Sequence, residues 1–209
     1  VISVLFTVLI VVFGLSFGQF IFWRTANMLL EQSRQYFAQI HEELSLDFIG
    51  TRKTVAQTVA ILSKTAVVSA MTLEERLESL PLFQASLLAD PTLTALQVGY
   101  DNGDYFIVRV LGDDVMRLQF NAPPRASLVV DNISRKPDKR RYLQRFWFTP
   151  SLEELQRGVP EPTQYDPRIR PWFKAARDAD WDLRTAPYLF YFIQQMCITI
   201  GRRAKASGS

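Results

Sequence analysis

The sequence predicts an α+β fold in which a long N-terminal helical stretch leads into an antiparallel sheet with flanking helices. Three observations carry that expectation. Residues 1–23 run without a single charge, apolar residues then recur at helical spacing from Ala26 to about Met71, and beyond Leu93 short aromatic and β-branched runs alternate with turn residues.

The first stretch, Val1 to Trp23, has only Ser3, Thr7, Ser16 and Gln19 as strongly polar groups. At about 1.5 Å per residue it is long enough to cross a hydrocarbon core of about 30 Å. Phe20, Phe22 and Trp23 gather at its end, where rings favour the interface, and Arg24 marks the boundary. A cleaved signal peptide and a fully buried core helix are the competing readings. The first fits poorly, because the run is too long for a signal core and Phe-Ile-Phe-Trp-Arg is a poor cleavage site. A transmembrane anchor over 1–23 is therefore expected. Because the chain opens on Val1, its true N-terminus is expected to lie upstream.

All 24 Lys and Arg and all 21 Asp and Glu follow that run, so residues 24–209 read as a water-soluble region of net charge +3. The 15 Phe and 7 Tyr argue for a packed core and against disorder. One cysteine, Cys197, excludes an internal disulfide framework and a paired-thiolate metal site. The one histidine, His41, sits in a helical pattern and reads as a solvated helix residue.

From Ala26 to Met71 there is no proline and only Gly50; Phe37, Ile40, Leu44, Phe48, Val55, Val59, Leu62 and Ala66 form one apolar face. This predicts one long helix over 24–71, able to dimerise through that face. Gly14 and Gly18 add the small-residue spacing that lets membrane helices approach. A second helical stretch, Thr72 to Ala89, is capped by Thr72 and broken near Pro81. Strands are expected over Leu93–Tyr100 and Tyr105–Leu111, joined by the hairpin turn Asp101-Asn102-Gly103-Asp104. Gly112-Asp113-Asp114 reads as a turn into a strand over Val115–Phe120, and Ala126–Ile133 and Arg140–Phe148 as further strands. Ser151–Arg157 has the cap and first-turn acids of a short helix. Pro160, Pro162 and Pro167 hold a loop ahead of a helix over Arg170–Arg177, and Pro187–Ile193 with Met196–Gly201 close as a hairpin. Two helices, an antiparallel meander and a loop-plus-helix flap over one face describe a PAS-like domain over residues 72–209.

The segment Tyr165-Asp166-Pro167-Arg168-x-Arg170-Pro171-Trp172-Phe173-x-x-Ala176, with Trp181, Pro187-Tyr188 and Ile198-Thr199-Ile200, resembles the ligand-binding segment of double-Cache sensor domains. These are extracytoplasmic modules of bacterial chemoreceptors, histidine kinases and cyclic-nucleotide signalling enzymes. The resemblance implies an inner-membrane protein with residues 24–209 periplasmic or extracellular and no catalytic role for this region. It also implies continuation past Ser209 into the rest of the sensor, a second membrane helix and a cytoplasmic output domain. The ligand site it implies is Tyr165, Arg170, Trp172, Phe173, Tyr188 and Phe190.

The residues support that site on their own chemistry. Arg170 offers a planar fork of donors for a carboxylate or phosphate, Trp172 can stack on or wall off a small ligand, and the Tyr165 and Tyr188 hydroxyls can orient it. The competing reading is structural: Arg168 or Arg170 pairs with Asp166 or Asp178 to pin the flap, and Trp172 is core. Two departures from the family pattern bear on the ligand. Phe190 stands where amino-acid-binding members carry the aspartate that holds the ammonium, and Phe173 stands where the family mostly has tyrosine. A buried ammonium without an anion is costly, so a carboxylate, aromatic acid or apolar molecule is favoured over an amine.

Other chemistries find no support in the sequence. Phosphate-loop, dinucleotide and zinc motifs are missing, and no cofactor is expected. Gly14-Leu15-Ser16-Phe17-Gly18 matches a nucleophile elbow but lies inside the apolar run. Asp101, Asp104, Asp113 and Asp114 read as solvated turn acids. Arg135, Lys136, Lys139, Arg140, Arg141 and Arg145 read as a solvent-facing cluster, and nucleic acid is not expected as a partner. The expectation is a membrane-anchored sensor of a small molecule; the alternative is a membrane-tethered interaction or dimerisation module without such a ligand.

Overall fold

The computed structural model describes residues 19, 53–136, 140–179, 183–193 and 196–204. The expected anchor over 1–23 apart from Gln19, most of the long helix, His41, Lys139 and Trp181 lie outside them. Among the described residues no helix is long and apolar enough to cross a membrane. The chain divides into two compact units, Val1–Gly50 and Thr51–Ser209, and all that follows concerns the second.

Helix α1, described over 53–62, ends nine residues before the expected Met71. The side-chain hydroxyls of Ser63 and Thr65 donate to the Ala60 and Leu62 carbonyls, and a 3-10 turn over Ala66–Ser69 follows. Local hydroxyl bonds to the last carbonyls compete with helix continuation, which periodicity does not register. Helices α2 (Leu73–Leu77) and α3 (Leu80–Ala89) follow. Thr72 caps α2 as expected and does so reciprocally: its hydroxyl accepts the Glu75 N–H while the Glu75 carboxylate accepts the Thr72 N–H. The break falls at Glu78–Ser79, and Pro81 sits in the first turn of α3, where its missing N–H costs nothing.

Strands β1 (Ala95–Gly99), β2 (Tyr105–Val110), β3 (Leu128–Arg135) and β4 (Arg141–Phe148) form a consecutive antiparallel meander. The β1–β2 hairpin turns at the predicted Asp-Asn-Gly-Asp, with Gly103 at φ +89° supplying the left-handed step. Strands β5 (Glu154–Arg157) and β6 (Glu161–Pro162) pair in succession along the free edge of β4, completing a six-stranded sheet.

Two expectations are corrected. Residues 151–157 are not helical: Leu152 takes φ +63°, the Leu152 N–H meets the Thr149 carbonyl, and the chain turns so that β5 satisfies the open edge of β4. Residues 115–120 are not a strand. Asp113 accepts the Met116 N–H at 2.7 Å and caps a short helix, α4, over Asp114–Gln119.

The sheet has two unlike faces, as the period of two demands. Phe106, Val108, Leu128, Val130, Phe146 and Phe148 meet Phe83 and Leu87 of α3 in the larger core. The other face carries Tyr105, Ile107 and Arg109 of β2, Asp131 and Ile133 of β3, and Leu143 and Arg145 of β4. Over it lie helix α5 (Pro171–Asp178) and the segments β8 (Tyr188–Leu189) and β9 (Met196–Cys197), while β7 (Leu183–Arg184) and β10 (Ile200–Gly201) pack against α5. The expected terminal hairpin is present as β8 paired with β9, while β10 pairs back to β7.

Candidate functional site

The loop before α5 is held by one carboxylate. Asp166 accepts the Arg168 backbone N–H at 3.0 Å, the Arg168 Nε and Nη2 at 3.0 and 2.9 Å, and the Arg141 Nη2 at 2.8 Å. Its bonds from Arg168, and then the neighbouring Arg141, hold this carboxyl below the usual carboxylate range. The structural reading is therefore right for Arg168, which pins the flap.

Arg170 is different. It precedes Pro171, whose ring disfavours helical backbone in the preceding residue, so Arg170 is extended (φ −80°, ψ 147°) and caps α5 without being part of it. Its guanidinium carbon lies 4.6 Å from the Tyr165 ring centre and 4.5 Å from that of Tyr191. Its Nε is buried and unbonded, and no carboxylate among the described residues pairs with it. Asp178 pairs instead with Arg177, in solvent.

Tyr165, Trp172, Phe173 and Phe190 come together in one buried aromatic cluster, with Tyr188 packed at its margin. Tyr105 joins them, its ring 4.8 Å from Tyr165 and 6.1 Å from Trp172. Burial pushes the Tyr105 and Tyr165 phenols above their ordinary range. Trp172 and Phe173 press against the edge strand at Gly99, where a Cβ would stand 2.6 Å from Trp172 Cη2 and 2.9 Å from Phe173 Cδ2. Both rings thus seat α5 on the sheet and hold Arg170 in place. The Tyr188 hydroxyl is hydrogen-bonded to Thr199 Oγ1 at 2.7 Å, which ties β8 to the segment after β9.

The sequence reading missed four members of this face: Tyr105, Arg109, Tyr191 and Phe192. The signal was present for the first two, since Tyr-Phe-Ile-Val-Arg-Val alternates and places Tyr105, Ile107 and Arg109 on one side. Arg109 is 1% exposed and donates to Asp131 Oδ2 at 2.8 Å. Arg145 reaches the same carboxylate through Nε and Nη2 at 2.6 and 3.1 Å. The Arg109 guanidinium carbon lies 4.8 Å from the Phe120 ring centre and 5.0 Å from that of Phe192.

The acids and bases read as solvated divide in the fold. Asp101 is exposed, but Asp104 is buried: it accepts Arg76 Nη2 at 2.7 Å, and Arg76, 1% exposed, also donates to Asn132 Oδ1 at 2.8 Å. Within the basic cluster, Arg141 and Arg145 turn onto the sheet to bind Asp166 and Asp131. In an antiparallel ladder their alternate positions share the face that α5 covers, which a linear charge run conceals.

No family model matches the chain, and no solved structure matches it. Over 111 residues, 53% of this chain, it is 24% identical to adenylate cyclase 1 of Rhizobium meliloti (strain 1021). The match covers 17% of that protein, so the chain spans a small part of its length.

Proposed function

We propose that this chain is the ligand-sensing region of a membrane-bound signal-transduction protein, and that Arg170 anchors a small carboxylate beside the Tyr165 ring. The observation that carries the reading is the guanidinium of Arg170, which rests against two tyrosine rings with a buried, unbonded Nε and, among the described residues, no carboxylate paired with it. A buried donor without a partner costs about 1–3 kcal/mol, and an anionic ligand is the group that removes that cost. Amines are disfavoured, because Phe190 is buried among rings and Asp131 is already taken by two arginines. The Trp172 and Phe173 rings transmit occupancy to β1, and the similarity to an adenylate cyclase supports a nucleotide cyclase as the output. Binding shifts an existing conformational equilibrium by its differential affinity for the two states. The extracytoplasmic placement and the anchor over residues 1–23 belong to the same proposal.

The rival interaction-module reading draws on Leu189, Tyr191 and Met196, which are 55, 43 and 66% exposed around the β8–β9 pair. The two separate in a thermal-shift experiment on the full chain in detergent micelles, with benzoate, succinate and glycine as probes. An acid at about 100 times its Kd adds about 2.7 kcal/mol, at about 2–4 °C for each kcal/mol. The expected result is a shift by an acid that is lost in Arg170→Ala and that glycine does not produce. No shift with any acid overturns the sensor reading and leaves the interaction module.

A further inference from the structure

The buried polar side-chain atoms without a hydrogen-bond partner, among the described residues, all belong to three arginines of one face: Arg109 Nε and Nη2, Arg141 Nε and Arg170 Nε. Arg109 and Arg145 share the carboxylate of Asp131, Arg141 and Arg168 share that of Asp166, and Arg170 has none among the described residues. A face with more guanidiniums than acids, and with the surplus donors buried, is matched by a ligand bringing more than one negative charge.

Two of these arginines are covered by consecutive residues. The ring of Tyr191 lies on Arg170 at 4.5 Å, and the ring of Phe192 lies on Arg109 at 5.0 Å. Tyr165 packs against both rings, 5.2 Å from Tyr191 and 4.8 Å from Phe192 by ring centres. Tyr165 titration also feels both cations, each opposing the upward push of burial. Movement of the short turn carrying Tyr191 and Phe192, which Gln119 ties through the Phe192 carbonyl, therefore removes one ring from each guanidinium and leaves Tyr165 and Phe120 on them as aromatic walls. The Arg109 side chain, 1% exposed and with two of its three nitrogens unbonded, is a built donor in the interior of the fold.

From this we infer that this face selects a small aromatic dicarboxylate, one carboxylate bound by Arg170 and the second by the Nε–Nη2 edge of Arg109, with the ligand ring taking the place of Tyr191 and Phe192. The inference rests on the Arg170 reading above and adds Arg109 as the residue that sets ligand charge. Arg109 keeps its bond to Asp131 through Nη1, so the edge offered to the ligand is the one the fold leaves unused.

Titration calorimetry on the full chain in detergent micelles tests it, using benzoate, phthalate, isophthalate and terephthalate, and the monomethyl ester of whichever dicarboxylate binds tightest. One dicarboxylate is expected to bind at least about tenfold tighter than both benzoate and its own monomethyl ester, a difference of about 1.4 kcal/mol. In Arg109→Lys that advantage disappears while benzoate affinity stays; in Arg170→Ala both acids are lost. Equal affinity for diacid and half-ester in the unmodified chain overturns the Arg109 role, leaves Arg170 standing, and needs no variant to fold. Failure of every acid to bind overturns both readings.

Discussion

Replacing Gly99 by alanine adds one methyl group where the sheet edge meets α5. Its Cβ would lie 2.6 Å from Trp172 Cη2, and 2.9 and 3.1 Å from Phe173 Cδ2 and Cε2. Carbon atoms settle at about 3.5–4.0 Å, so the start of α5 must withdraw by about 1 Å or the two rings must leave their rotamers. Gly99 lies in the regular strand β1, outside the left-handed region, so backbone preference favours the alanine and cannot be the source of any loss. Overpacking of this kind costs about 1–3 kcal/mol, which lowers the thermal midpoint by about 2–4 °C for each kcal/mol. Urea unfolding of Gly99→Ala followed by Trp fluorescence measures it. The pair with Trp172→Phe adds a second reading: a smaller ring makes room, so the double variant loses less than the sum of the single losses. Because the same rings seat Arg170, acid affinity falls with the single variant and partly returns in the double. A Gly99→Ala protein as stable as the parent, with additive behaviour beside Trp172→Phe, would refute the claim that α5 is held by contact at Gly99.

Two further predictions concern the opposite face and the phenols. Asp104→Ala strands the Arg76 guanidinium, 1% exposed, with Asn132 as its remaining side-chain acceptor, and should cost about 3–5 kcal/mol in urea unfolding. The exposed Asp101→Ala is the control and should stay within about 0.5 kcal/mol; equal effects at the two positions would show that Asp104 is a solvated turn acid after all. Burial pushes the Tyr100 phenol up to about 12, while its hydroxyl donates to the Val67 carbonyl at 2.7 Å. A raised folded-state value means that the neutral form is preferred in the fold. The contribution is then complete below the ordinary tyrosine value of about 10 and is lost as pH rises from there toward about 12. Urea midpoints at pH 9, 10.5 and 11.5 should fall in that order, and less steeply in Tyr100→Phe; the same slope in both proteins would remove Tyr100 from the account.

Local chemistry was legible in the sequence wherever it acts over a few residues. The cap at Thr72, the hairpin at Asp101–Asp104, the four long strands and the helix after Pro171 all follow from turn residues, alternation and capping, each decided by neighbours in the chain. The same local logic failed at Ser151–Arg157, where a helical cap pattern lost to the open edge of β4, because unpaired strand groups gain more from a ladder than a short isolated helix gains from itself. The sequence singled out Arg170 and Trp172 but not what each of them touches. Only the tertiary structure decided that Arg168 takes Asp166 and leaves the Arg170 Nε without a partner among the described residues, that Trp172 bears on Gly99, and that Arg109 belongs to the same face. The physical reason is that a side chain's charge partner is set by which strands lie side by side. Asp131 meets Arg145 across a ladder and Arg109 on the diagonal, and neither spacing appears along the chain.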